Sequence, residues 1–172
     1  MTSASRKEIT SMLSEKLERF VLKKFPLWGA EVRLDNERYK FADSDAKGRV
    51  DYMAIETLGM SRSIRSIEAG YIHVFEVKSC TDDFKSGHGL NRVGDVNWLV
   101  MTKQLNEQLI DMQADTSGWN RLVWMGDEYN RFTDSSTRDA CVTGRKMPMS
   151  QAIWMILTNS DRVHRKGKGV DV

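Results

Sequence analysis

The chain has 172 residues, 40% of them hydrophobic, with five tryptophans and a net charge of +2 from 26 basic and 24 acidic side chains. That length suits one domain with a real core and is too short for two. The near balance of charge excludes a global basic field, so local patches must carry any affinity for nucleic acid. No apolar run reaches membrane length, Met1 to Lys7 lacks the apolar stretch of a signal peptide, and Cys80 and Cys141 follow no motif spacing. Together these point to a reducing cytoplasm and no membrane partner.

In chain order, Ile9, Leu13, Leu17, Phe20 and Val21 recur at helical spacing and predict an amphipathic helix over residues 6–24. Ser5 reads as its N-cap, Glu8 completes a capping box, and Pro26 ends it. Residues 30–34 read as a first strand, 49–56 as a second and 71–79 as a third, with a polar turn at 43–48 before the second. Residues 96–101 are continuously apolar, which predicts an internal fourth strand. Residues 102–113 read as a helix facing inward through Leu105, Leu109 and Met112, and 120–125 as a fifth strand. After Pro148, Ser150 is expected to cap a last helix carrying Ile153, Ile156, Leu157 and Val163. This order predicts an α/β fold, a single-domain αβ sandwich on a central mixed β-sheet. It joins a three-stranded meander to a strand–helix–strand crossover. Residues 1–160 form the domain, and 161–172 read as a basic, flexible C-terminal tail.

The third strand holds the most informative pattern, Phe75-Glu76-Val77-Lys78. Strand side chains alternate, so Glu76 and Lys78 share one face while Phe75 and Val77 take the other. Burying an acid and an amine without partners is costly, and a hard divalent cation with a phosphate oxygen would supply those partners. Asp51 lies in the preceding strand, giving the two carboxylates and one lysine that phosphodiester hydrolysis can use. Glu-x-Lys alone occurs by chance roughly once in two or three chains of this length. Two lookalikes, Asp45-Ala46-Lys47 and Asp83-Phe84-Lys85, fall in a turn and beyond the strand. Only Glu76 and Lys78 lie within a β-rich run, and the competing reading for them is a solvated ion pair on an edge strand.

With a leading helix and a three-stranded meander around them, Asp51, Glu76, Val77 and Lys78 resemble the PD-(D/E)XK, or restriction-endonuclease-like, nuclease superfamily. A narrower likeness, in Glu76-Val77-Lys78-Ser79, Asp83-Phe84 and Gly94-Asp95-Val96, is to the MmcB-like group of DNA-repair nucleases and to small phage proteins. Gly87 stands where that group has a second aspartate. The resemblance implies a restriction-endonuclease-like core and a metal-dependent nuclease acting on DNA, in repair, recombination or phage DNA processing. It implies Mg²⁺, with Mn²⁺ able to substitute, held by Asp51, Glu76 and the backbone carbonyl of Val77. Lys78 would stabilise charge on the phosphate or, second in rank, act as base; the neighbouring carboxylates favour its ammonium form.

Glu31, Asp83 and Asp95 are supporting acids in this reading, although Asp95 beside Gly94 equally reads as a turn residue. Glu8, Glu15 and Glu18 lie off the apolar stripe and read as solvated. Phosphate contacts are expected from Arg62 and Arg65, in the connection overhanging the metal, from Lys85 and His88, and from Arg162, Arg165 and Lys166 in the tail. A homodimer would let so small an enzyme cut two strands. The competing function is a nuclease-fold binding module without catalysis, either nucleic-acid-binding or a phage inhibitor or accessory protein.

Overall fold

The computed structural model describes residues 5–34, 48–59, 63–135 and 142–165. Helix α1 (Arg6–Phe20) starts at the expected capping box, in which Ser5 Oγ accepts from Glu8 N–H and Glu8 Oε2 accepts from Ser5 N–H. It buries Leu13 and Leu17, and a single 3-10 turn (Leu22–Lys24) follows before Pro26. The strands are β1 (Leu27–Leu34), β2 (Gly48–Glu56), β3 (Tyr71–Val77), β4 (Val96–Thr102), β5 (Asn120–Trp124), β6 (Phe132–Asp134) and β7 (Arg162–Arg165). Helices α2 (Ile64–Glu68), α3 (Thr81–Lys85), α4 (Lys103–Asp111) and α5 (Met149–Asn159) complete the chain.

All seven strands join one mixed sheet in the order β6-β5-β4-β3-β2-β1-β7. Strands β3, β4 and β5 run parallel, and the other pairings are antiparallel. The molecule is therefore the α/β sandwich expected, with β3 at the sheet centre and the apolar β4 internal. Face alternation separates the helical layers. Helix α1 packs Leu13 and Leu17 with Phe75 and Val77, whereas α5 packs Ala152 and Ile156 with Ile72 and Val74 on the opposite face. Helix α4 shares that second face, through Leu105 and Leu109 against Leu99 and Met101. Glu76 has the parity of Ile72 and Val74 and lies beside Leu99, so it emerges in the seam between the α5 and α4 cores. Among the described residues, no helix is long and apolar enough to cross a membrane.

Three expectations are corrected. The first strand begins at Leu27 rather than residue 30, because Leu27, Trp28 and Gly29 pair with both β2 and β7. The last helix starts at Met149 with Pro148 as N-cap, so Ser150 is inside it. Val163 is not helical, and residues 162–165 are no free tail but an edge strand on β1. All four β7 residues are exposed, so no alternation of apolar and polar positions could announce the strand. The rest of the expected tail, including Lys166, lies outside the described residues.

Candidate active site

Tyr52 and Phe75 form the last rung of the β2–β3 ladder. At the next position the Asp51 side chain replaces backbone pairing: its Oδ2 accepts the Val77 N–H at 2.8 Å. The other flank of β3 stays tied to β4, where Lys78 N–H donates to the Val100 carbonyl at 2.9 Å. Asp51, Glu76 and Lys78 thus come together at the C-terminal end of the central strand. They line a cleft of about 450 Å³ with Arg6, Glu31 and Arg49.

Lys78 is only 2% exposed and Glu76 only 4%. The Lys78 ammonium donates to Glu76 Oε1 at 3.1 Å and to the His88 carbonyl at 2.5 Å, and stands 4.0 Å from Asp83 Oδ1. Asp83 is a hub. Its Oδ2 accepts from Ser79 N–H and Ser79 Oγ, both at 3.1 Å, and its Oδ1 lies 2.5 Å from Arg6 Nη2. The start of α1 is therefore tied to the residue next to the lysine. Glu76 Oε2, by contrast, is buried with no hydrogen-bond partner. Such an atom costs on the order of 1–3 kcal/mol while it stays unsatisfied.

The electrostatics follow from the geometry. Burial, and then the charge of Asp51, push the Glu76 carboxyl up to about 8, with Lys78 opposing them. Burial also raises Asp51, opposed first by the hydrogen bond from Val77. Glu31 lies between the rungs Ala30–Tyr52 and Val32–Val50, opposite Asp51. Burial and the Asp51 charge raise it, although Arg49 Nε sits 2.6 Å from its Oε2. Its φ of 55° is left-handed, a conformation costing a non-glycine residue roughly 1–3 kcal/mol and met mostly at functional sites. Gly89, with φ +76°, brings its loop so close that a Cβ there would fall 1.9 Å from Glu76 Oε1. Only glycine fits both conditions.

The structure gathers Asp51, Glu76, Val77, Lys78, Asp83 and Glu31. Lys85 and His88 are exposed; of the two only His88 lines the cleft, and it is the His88 carbonyl rather than its ring that engages Lys78. Two placements are corrected. Asp95 sits at the start of β4 beside Ile72, at the opposite end of β3, where its Oδ2 accepts from Ile72 N–H and from Arg145. Arg65, in α2, follows the Glu56–Tyr71 rung at that same far end, so this connection cannot overhang the Asp51 carboxylate. Antiparallel pairing sends the β2–β3 link to the end opposite Asp51. Arg62 lies outside the described residues. Arg162 pairs with Glu18, so Glu18 is an ion-pair and Tyr52 hydroxyl acceptor rather than merely solvated. Arg165 faces solvent on β7, opposite Leu27.

Sequence reasoning passed over Arg6, Arg49 and Gly89. Arg49 is close to Asp51 along strand β2 and lines the same cleft. Arg6 and Gly89 reach the site only through tertiary packing.

Among the described residues, no group of three or more His, Cys, Asp or Glu side chains could hold a metal ion. Asp51 and Glu76 nevertheless suit Mg²⁺, which binds through one or two carboxylates and keeps several waters. The unpartnered Glu76 Oε2 and the mutual repulsion of the two acids are what a divalent cation would relieve. Comparison with protein-family models, with curated proteins and with solved structures finds no match.

Proposed function

We propose that the protein is a Mg²⁺-dependent nuclease hydrolysing DNA phosphodiester bonds. The buried, unpartnered Glu76 Oε2, set beside Asp51 and one residue pair from Lys78, carries this reading. The resemblance of Asp51 and Glu76-Val77-Lys78 to the PD-(D/E)XK pattern supports the same conclusion. Asp51 and Glu76 would hold the cation. When bound, it supplies charge neutralisation at the phosphate and a more acidic water.

The chain's own residues account for the rest. The Lys78 ammonium would exchange the His88 carbonyl for a phosphate oxygen and stabilise the charge that builds there. Asp83 holds Ser79 and so orients the end of β3 from which Lys78 projects. Arg6 and Arg49 line the cleft and offer guanidinium groups to flanking phosphates. Burial and the Asp51 charge raise Glu76 to about 8, so holding a cation there would be coupled to release of a proton from Glu76.

The second reading, a binding module on a nuclease fold, draws on one observation: Lys78 is already engaged by Glu76 and the His88 carbonyl. Cleavage of supercoiled plasmid, single-stranded DNA, a four-way junction and RNA in Mg²⁺ and Mn²⁺ separates the two. Wild type should cut DNA in a metal-dependent manner. Glu76→Ala and Lys78→Ala, folded by circular dichroism, should lose at least about a hundredfold in rate. A folded Lys78→Ala protein that cuts at the wild-type rate contradicts the proposal.

A further inference from the structure

Glu76 and Lys78 are covered as well as paired. Both are almost fully buried, yet the nuclease reading requires a cation to reach one and a phosphate oxygen to reach the other. The segment that follows α3 covers them. His88 and Gly89 line the cleft together with the two charged side chains. The His88 carbonyl accepts from the Lys78 ammonium, and the Gly89 backbone lies against the Glu76 carboxylate so closely that no side chain fits between them.

The ends of this segment are anchored and its middle is not. Phe84 and Leu90 pack in the α4 core, and Asn91 Nδ2 donates to the Arg49 carbonyl at 3.3 Å. Between them, residues 86–89 read Ser-Gly-His-Gly and carry no apolar side chain. Ser86 and Gly87 bond back to the end of α3, through Asp82, Asp83 and Phe84. Within the turn, His88 N–H to Ser86 Oγ and Leu90 N–H to the Gly87 carbonyl are both long, at 3.4 Å. Among the described residues, the His88–Lys78 bond alone ties residues 86–89 to anything beyond α3 and the turn itself. A segment with so few contacts opens locally at much lower cost than the fold unfolds.

The backbone of the turn is specialised for the covered state. Gly87 and Gly89 bracket His88 with left-handed φ values of +68° and +76°, accessible to glycine and unfavourable for other residues. His88 itself is exposed, and its ring makes no hydrogen bond or ion pair among the described residues. The segment therefore gives the site one main-chain oxygen and no side chain.

We propose that residues 86–89 are a lid held in an autoinhibitory position. The His88 carbonyl occupies the place on Lys78 that an anionic oxygen takes, and the lid swings off Glu76 and Lys78 before either is used. A charged oxygen is a stronger partner for an ammonium than a neutral carbonyl, so an anion entering the cleft displaces the lid. What the lid guards rests on the nuclease reading; that it opens does not.

Acetylation of the full chain by N-hydroxysuccinimide acetate, followed lysine by lysine with peptide mass spectrometry, reads the lid without any cleavage. In wild type, Lys78 should acetylate more slowly than the exposed Lys103. Gly87→Ala is the informative variant, because its new methyl group would meet nothing within 4 Å and Gly87 is outside the cleft lining. It disfavours only the left-handed turn of the closed lid, so Lys78 acetylation should rise about fivefold or more with Lys103 unchanged. Asp95→Ala weakens the fold from the far end of β3 without touching the lid, and should acetylate Lys78 at the wild-type rate. Equal Lys78 rates in wild type and Gly87→Ala, or a comparable rise in Asp95→Ala, overturns the proposal. Faster Lys78 acetylation in a Gly87→Ala protein that cuts no DNA leaves the lid standing and removes the nuclease reading. Metal-dependent cutting with Lys78 acetylation unchanged by Gly87→Ala does the reverse.

Discussion

Two buried acids stand at opposite ends of the central strand, and their surroundings differ in kind. Asp95 is 3% exposed and Glu76 is 4% exposed. Asp95 Oδ2 accepts from Ile72 N–H at 2.9 Å and from Arg145 Nε and Nη2 at 3.3 and 3.2 Å, while Arg145 also donates to the Glu68 and Gly70 carbonyls. That end is a finished hydrogen-bond network. At the other end one Glu76 oxygen is engaged by Lys78 and the other by nothing, with Asp51 repelling it. A satisfied buried acid is part of the scaffold, whereas one with an unsatisfied oxygen beside a like charge is poised for something that binds.

The comparison is sharpened most by pH. Glu76 has a folded value of about 8 against 4.5 for the free side chain, so the folded state holds a proton that the unfolded state releases between those limits. The stability tied to this proton is fully present below about pH 4.5 and is lost as pH rises through about 8. Its total is at most about 5 kcal/mol. Glu76→Gln removes the titration. Its denaturant midpoint should exceed that of wild type above about pH 8, and the difference should shrink on acidification. A Glu76→Gln protein less stable than wild type at alkaline pH would break the contrast from this side.

Asp95→Ala should behave in the opposite way. It strands Arg145 and the Ile72 N–H, so chemical denaturation should show a loss of about 3 kcal/mol. A loss below about 1 kcal/mol would show that the far network is not scaffold. The smallest effect belongs to Gly89→Ala. Its left-handed backbone and the approach of the new Cβ to Glu76 Oε1 should cost about 2 kcal/mol and displace the carboxylate. The observable is a lower midpoint together with weaker cation binding.

Much of this was legible before the fold was known. Alternation in β3 placed Glu76 and Lys78 on one face, the apolar run of β4 marked it as internal, and Ser5 with Glu8 announced the start of α1. What stayed hidden depended on contacts distant in sequence or on segments without pattern. Asp95 looked as eligible as Asp83, because only the parallel β3–β4 register sends Asp95 to Ile72, while helix α3 folds Asp83 back on Ser79 and toward Lys78. Arg65 looked close to Asp51 along the chain, yet an antiparallel link necessarily lies at the far end of the strand pair. Strand β7 reads as a tail, because an edge exposed on both sides shows no hydrophobic period. Arg6 reaches Asp83 across 77 residues of chain, and no local spacing signals such a contact.

The central claim is that Asp51 and the unpartnered Glu76 form a divalent-cation site, and calorimetric titration of Mn²⁺ tests it most directly. Wild type and Glu76→Gln should be titrated at about pH 7 and about pH 9. The account predicts saturable one-site binding to wild type that strengthens with pH and releases a proton at the lower pH, with binding abolished in Glu76→Gln. No saturable binding to folded wild type at either pH, or equal binding by Glu76→Gln, would contradict it.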